Sequence, residues 1–112
     1  LLDDVGNVGF INVASDYEEA SRIVEEEMPA LVLLDINLPG KNGIQILRQI
    51  RKAATDCKVI MITNRADEFY RQQCRDLGAD YFLDKSNDFA KVPSIIRHWG
   101  SEKNLCITET TN

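Results

Sequence analysis

The chain has little histidine and no paired cysteine: His98 is the single histidine, and Cys57, Cys74 and Cys106 stand far apart with no Cys-x-x-Cys motif. That pattern excludes a disulfide framework and a zinc site of ordinary ligand spacing, and a reducing, cytoplasmic compartment is expected. Basic residues are in deficit, 13 Lys and Arg against 18 Asp and Glu for a formal charge of -5. Phosphate-backbone binding needs the opposite balance, so direct nucleic-acid binding by this domain is not expected. No apolar run approaches the roughly 20 residues of a membrane helix, and no charged n-region followed by an apolar h-region opens the chain. Neither a membrane partner nor export is expected. Repeats and low-complexity runs are absent too, and 112 residues leave room for one domain at most.

What is present is an alternation of strand-like and helix-like segments. Phe10 to Ala14 is β-branched and aromatic-rich, and Ser15-Asp16-Tyr17-Glu18 then reads as a capping box that opens a helix. Ala20, Ile23, Val24 and Met28 share one face of that helix, and Pro29 stops it. Leu31 to Leu34 is a continuous apolar run, as a strand covered on both faces requires, and it ends at Asp35. Ile44, Leu47, Ile50 and Ala54 step at helical spacing after a turn with Pro39, Gly40 and Gly43. Val59 to Ile62 is a second buried strand, ending at Thr63. A helix over Asp67 to Leu77, burying Phe69 or Tyr70 with Cys74 and Leu77, closes at Gly78. Tyr81 to Leu83 is the last strand, followed by Asp84, Lys85 and a helix over Phe89 to Trp99 with Val92, Ile95, Ile96 and Trp99 inward. Residues 100–112 lack periodicity and are expected to form a flexible tail, with Cys106 exposed. This alternation predicts an α/β fold, a doubly wound parallel sheet with helices on both faces.

In such sheets ligands bind beyond the carboxyl ends of the strands. Asp35, Thr63 and Lys85 each end a strand or directly follow one, so one rim would gather a carboxylate, a hydroxyl and an ammonium. Singly, each has a plain explanation: a helix cap, strand filler, a solvated charge. Together they suit phosphoryl transfer, in which a carboxylate attacks phosphorus while a hydroxyl and an ammonium bind the transferred oxygens.

These residues resemble the response-regulator receiver domain, the phosphoacceptor module of two-component signalling. Leu31-Val-Leu-Leu-Asp35-Ile-Asn-Leu-Pro39-Gly-Lys-Asn-Gly43 is similar to that family's phosphoacceptor strand and turn, and Val59-Ile-Met-Ile-Thr63 to its strand with the switch hydroxyl. Leu77-Gly78-Ala79-Asp80-Tyr-Phe-Leu-Asp-Lys85 is similar to its strand with the essential lysine, and the spacings of 28 residues from Asp35 to Thr63 and 22 from Thr63 to Lys85 agree. The resemblance implies a flavodoxin-like receiver fold of strand order 2-1-3-4-5. It implies that Asp35 accepts a phosphoryl group from a sensor histidine kinase or a histidine phosphotransfer protein, and that Mg²⁺ is bound by Asp35 and the Asn37 carbonyl. Thr63 and Lys85 would bind the phosphoryl group, and Phe82 would be the aromatic switch. The domain would be no enzyme beyond self-catalysed phosphotransfer and autodephosphorylation, and it would pair with itself through its last strand and last two helices.

Departures from the family matter. Asn64 replaces a small residue after Thr63, and Ser86 replaces a cis-forming proline after Lys85, so a less fixed loop is expected there. The family's acidic pair at the end of its first strand has no counterpart. Only 30 residues lie between Asp4 and Asp35, a stretch already filled by strand, helix and strand, so Asp3-Asp4 read as a turn after a helix ending at Leu1-Leu2. On that count residues 1–99 form a receiver domain lacking its first strand and most of its first helix. A gap with two unpaired edges is then expected, unless more chain or another segment fills the slot. Two alternatives stand beside the phosphorylation switch. One is a pseudoreceiver that only docks proteins. The other is an Asp-nucleophile phosphatase of the haloacid dehalogenase type, which Asn37 disfavours because that chemistry wants a second acid there.

Overall fold

The computed structural model describes residues 10–53, 56–64, 67–100 and 104–108. Within them the order is β1 (Phe10–Ala14), α1 (Tyr17–Glu27), β2 (Leu31–Asp35), α2 (Ile44–Lys52), β3 (Lys58–Thr63), α3 (Glu68–Asp76), β4 (Tyr81–Asp84), α4 (Val92–Gly100) and β5 (Asn104–Thr108). A single 3-10 turn, Phe89–Lys91, leads into α4. Expected and observed elements agree through α4, with ends that move by a few residues. The readings on Leu1 to Gly9, including Asp3-Asp4, lie outside the described residues, as does Ala54.

β5 corrects the expectation of a flexible tail. The sheet is parallel throughout, in the order β1-β5-β2-β3-β4, so Asn104–Thr108 fill the slot that the sequence reading left as a gap. β5 pairs with β1 from Phe10↔Asn104 to Ala14↔Thr108, and with β2 from Leu31↔Leu105 to Leu33↔Ile107. Leu105, Cys106, Ile107 and Thr108 are all buried, so Cys106 is a core residue rather than an exposed one. The physical reason is that the slot offers unpaired backbone on both sides, and a short β-prone apolar segment satisfies both edges.

Strand alternation divides the core. Val32, Leu34, Val59, Met61 and Cys106 point to one face, where α1, α2 and α3 cover them through Ala20, Ile23, Ile46, Leu47, Ile50 and Cys74. Leu31, Leu33, Ile60, Ile62, Leu105 and Ile107 point to the other, where α4 covers them through Val92 and Ile96. Crossover handedness explains the division. The steps β1 to β2, β2 to β3 and β3 to β4 all run one way across the sheet, whereas β4 to β5 runs back, and a crossover of the same hand must then use the opposite face.

Local chemistry sets the helix ends. Asp16, not Ser15, caps α1: its carboxylate accepts from the Glu19 amide at 2.9 Å, while the Glu19 carboxylate accepts from the Ser15 amide at 3.1 Å. α1 closes on Met28 in the left-handed region, φ 44°, and this turns the Met28 side chain out of the core stripe, 74% exposed. Asp67 caps α3 by accepting from the Tyr70 amide at 3.0 Å. In α3 it is Tyr70, not Phe69, that packs on the core; Phe69 is exposed. Behind the sheet, Arg51 ties α2 to the strands, donating to the Gly78 and Cys57 carbonyls and to the Asp80 carboxylate.

Candidate functional site

Parallel strands place their carboxyl ends on one rim, so Asp35 at the end of β2, Thr63 at the end of β3 and Lys85 just past β4 lie side by side. Asp35 is 3% exposed and Thr63 is fully buried. The Lys85 ammonium reaches across two strand ends and donates to Asp35 Oδ2 at 2.8 Å. The Lys85 amide donates to the Thr63 carbonyl at 2.9 Å, so the lysine and the hydroxyl residue are joined through backbone as well. The three residues singled out in the sequence are therefore brought together.

Asp35 Oδ1 accepts from the Asn37 amide at 2.8 Å, which folds the chain back over the carboxylate in an Asx-type turn. The turn is completed by the Gly43 amide donating to the Ile36 carbonyl at 2.8 Å. Gly43 has an ordinary φ of -59°, and its need is steric: a Cβ there would collide with the Asp35 carbonyl oxygen. Pro39 contributes its carbonyl, which accepts from the Tyr17 amide at 2.8 Å and docks the turn on α1.

Phe82 lies on the β4 face under α3, half-buried against the core, with the Arg71 guanidinium 4.8 Å from its ring centre. Asn64 is exposed beside Thr63. The loop after β4 is not loose for want of a proline. The Asp84 amide donates to the Asp88 carboxylate at 3.0 Å, the Asp88 amide to the Asp84 carbonyl at 2.7 Å, and the Ser86 amide to Asp84 Oδ1 at 2.8 Å. The Asp84 amide, with Lys91 behind it, holds the Asp88 carboxyl below its ordinary range. His98 is exposed on α4, edge-on to Trp99 at 4.6 Å.

Sequence reading missed Thr108. Its hydroxyl accepts from the Asp35 amide at 2.8 Å and donates to the Leu33 carbonyl at 3.1 Å, 73 and 75 residues away in sequence. The available signal was that Leu105-Cys-Ile-Thr108, like Met61-Ile-Thr63, is a short apolar run closing on threonine.

Of the carboxylates among the described residues, Asp35 ends β2 and Asp84 ends β4 on this rim. Among the described residues no three His, Cys, Asp or Glu side chains cluster. Mg²⁺ usually keeps several waters and takes one or two carboxylates together with phosphate oxygens.

Residues 2–97 match the family model described as the response regulator receiver domain. Curated relatives include the DNA-binding transcriptional activator EvgA of Escherichia coli K12, 34% identical over 73 residues, covering 65% of this chain and 36% of EvgA. The transcriptional regulatory protein CpxR of Klebsiella pneumoniae is 37% identical over 97 residues, covering 81% of this chain and 41% of CpxR. The chain thus spans well under half the length of these relatives. Among solved structures, a LuxR-family two-component response regulator from Aurantimonas superposes with a TM-score of 0.70 at 21% identity, over 83% of this chain and 84% of that one. The signal receiver domain of NarL from Mycobacterium tuberculosis gives 0.69 at 17% identity, over 80% and 93%. With the parallel sheet and its rim, these matches place the chain in the response regulator receiver domain family of two-component systems.

Proposed function

We propose that this domain is a phosphorylation switch in which Asp35 accepts a phosphoryl group from a sensor histidine kinase or histidine phosphotransfer protein. The observation that carries the reading is the 2.8 Å contact between the Lys85 ammonium and the Asp35 carboxylate at a buried strand end. One carboxylate oxygen of Asp35 attacks phosphorus as the bond from phosphorus to the donor imidazole nitrogen breaks, and the imidazole leaves with the bonding pair. Lys85 is placed to counter charge on the transferred group, and the Asn37 amide orients the carboxylate. Thr63 would bind the phosphoryl oxygens, and Phe82 would follow its movement. Mg²⁺, held by Asp35 and the Asn37 carbonyl, would neutralise donor charge when bound.

Incubation with acetyl phosphate and Mg²⁺, followed by mass spectrometric mapping, tests the assignment. Label on Asp35 alone, lost in Asp35→Asn, is expected; label that persists in that variant sinks it. A docking module that never takes phosphate is the second reading, favoured by the absence of a three-ligand acidic cluster among the described residues. Failure of the wild-type chain to take label at any Mg²⁺ concentration would select it. Dimerisation through α3, β4 and α4, and any transcriptional output of a longer protein, are proposals of the same rank.

A further inference from the structure

We infer that Asp88 is a positioning residue for Lys85, an inference that rests on the phosphoryl-transfer role proposed for Asp35 and Lys85. The Lys85 amide donates from the end of β4 to the Thr63 carbonyl of β3 at 2.9 Å. One residue earlier, the Asp84 amide donates instead to Asp88 Oδ2 at 3.0 Å, and the Asp88 amide donates in return to the Asp84 carbonyl at 2.7 Å. Asp88 thus grips both the N–H and the C=O of Asp84, and the stretch from Lys85 to Asn87 is closed into a ring. The Asp84 carboxylate stiffens the ring from within, accepting from the Ser86 amide at 2.8 Å and from Asn87 Nδ2 at 3.1 Å. A proline at position 86 would lack the amide that makes the first of these bonds. On the outer side the Lys91 ammonium lies 3.0 Å from Asp88 Oδ1, so the two oxygens of the Asp88 carboxylate face two different donors.

Asp88 stands just before the 3-10 turn Phe89–Lys91, yet its side chain makes no cap bond to that turn; the carboxylate points back to the strand end. It acts as a tie across the loop that carries Lys85. A lysine ammonium rides on a flexible four-carbon stem, so how closely it is aimed depends on how firmly its own backbone is held. The bond to Thr63 holds Lys85 from the β3 side, and the Asp84–Asp88 ring holds it from the loop side. Between them they set the base of the side chain whose ammonium reaches Asp35 Oδ2 at 2.8 Å. A charge-stabilising group displaced from the transferring group is costly in rate, which makes the ring part of what prepares the site.

The test measures the rate at which acetyl phosphate labels Asp35 in the full chain with Mg²⁺ present, per folded molecule. Asp88→Ala is expected to slow labelling about fivefold, because the ring opens and the Lys85 ammonium spends time away from Asp35. Asp88→Asn keeps an oxygen that accepts from the Asp84 amide and is expected to stay within about twofold of wild type, which separates loss of the tie from loss of the charge. A general loss of packing would lower the folded fraction without moving the rate per folded molecule. Residue-resolved hydrogen exchange on the wild-type chain needs no variant: the Asp84 amide should exchange far more slowly than an exposed loop amide. In Asp88→Ala the Lys85 amide should exchange about tenfold faster, while the Ile36 amide, which donates to the Ile62 carbonyl, keeps its rate. An Asp84 amide that exchanges at the loop rate overturns the inference, and so does a Lys85 amide that Asp88→Ala leaves unmoved. An Asp88→Ala labelling rate equal to wild type, or an Asp88→Asn rate as low as that of Asp88→Ala, overturns it too. In each of those cases label on wild-type Asp35 leaves the phosphoacceptor reading standing; no label on wild type removes both.

Discussion

Replacing Leu105 with alanine separates a central strand from an appended tail. Leu105 has no exposed surface and sits between Leu31 of β2 and Ile11 of β1 in register, packed in the layer that Val92 and Ile96 cover from α4. The substitution removes about three methylene equivalents at about 0.8 kcal/mol each, near 2.4 kcal/mol of transfer free energy. The cavity term adds to that, and buried Leu→Ala changes cost about 2 to 5 kcal/mol in total. Ile60, at 0% exposure on β3 in the same layer, provides the internal standard, because its truncation should cost the same within the spread of such sites. Urea unfolding followed by circular dichroism reads both. With a slope of about 1.5 kcal/mol per molar urea for a domain of this size, each variant should move the midpoint down by about 1.5 to 3 M. A surface position in a loose tail would change stability by no more than about 0.5 kcal/mol. A Leu105→Ala midpoint within about 0.3 M of wild type, beside a full shift for Ile60→Ala, would refute the placement of β5 between β1 and β2.

Gly43→Ala should cost about 2 kcal/mol or more, since the new methyl group meets the backbone of Asp35, which must shift to admit it. It should also slow phosphorylation of Asp35, and acetyl phosphate labelling at the wild-type rate would count against the steric account. Burial pushes the thiols of Cys57 and Cys74 up to about 11 and that of Cys106 up to about 12, from 9.0. Because the folded values are the raised ones, the stabilising effect is complete below the unfolded value and is lost as pH climbs toward the folded values. Each thiol should then remove about 1.4 kcal/mol per pH unit above about pH 9. Urea midpoints between pH 8 and 11 should fall less steeply in Cys106→Val than in wild type, and equal slopes would contradict the burial of Cys106. At pH 8 the same three thiols should react with a thiol reagent only after unfolding.

Most elements were legible locally. Leu31 to Leu34 and Val59 to Ile62 read as buried strands from continuous apolar runs, and α2 from the spacing of Ile44, Leu47 and Ile50, because side-chain period follows directly from backbone geometry. Asp35, Thr63 and Lys85 could be gathered on paper because alternating strand and helix fixes a parallel sheet, and a parallel sheet puts all strand ends on one side. The cap of α1 was misplaced by one residue, since Ser15 and Asp16 are both good acceptors and only the backbone angles choose between them. Met28 was misread because helical periodicity ends where φ turns positive.

The sequence by itself thus determined the strand and helix alternation, the rim and the charged groups on it. Tertiary structure decided what fills the centre of the sheet. Residues 104–108 carry no period longer than a few residues, and their hydrogen bonds run to Phe10–Ala14 and to Leu31–Leu33, segments distant along the chain. A parallel pairing of that kind leaves no local mark, because its stability lies in two unsatisfied edges elsewhere and in a layer of side chains assembled from several strands. For the same reason the bond from the Asp35 amide to Thr108 could only be seen once the fold had brought the two strands together.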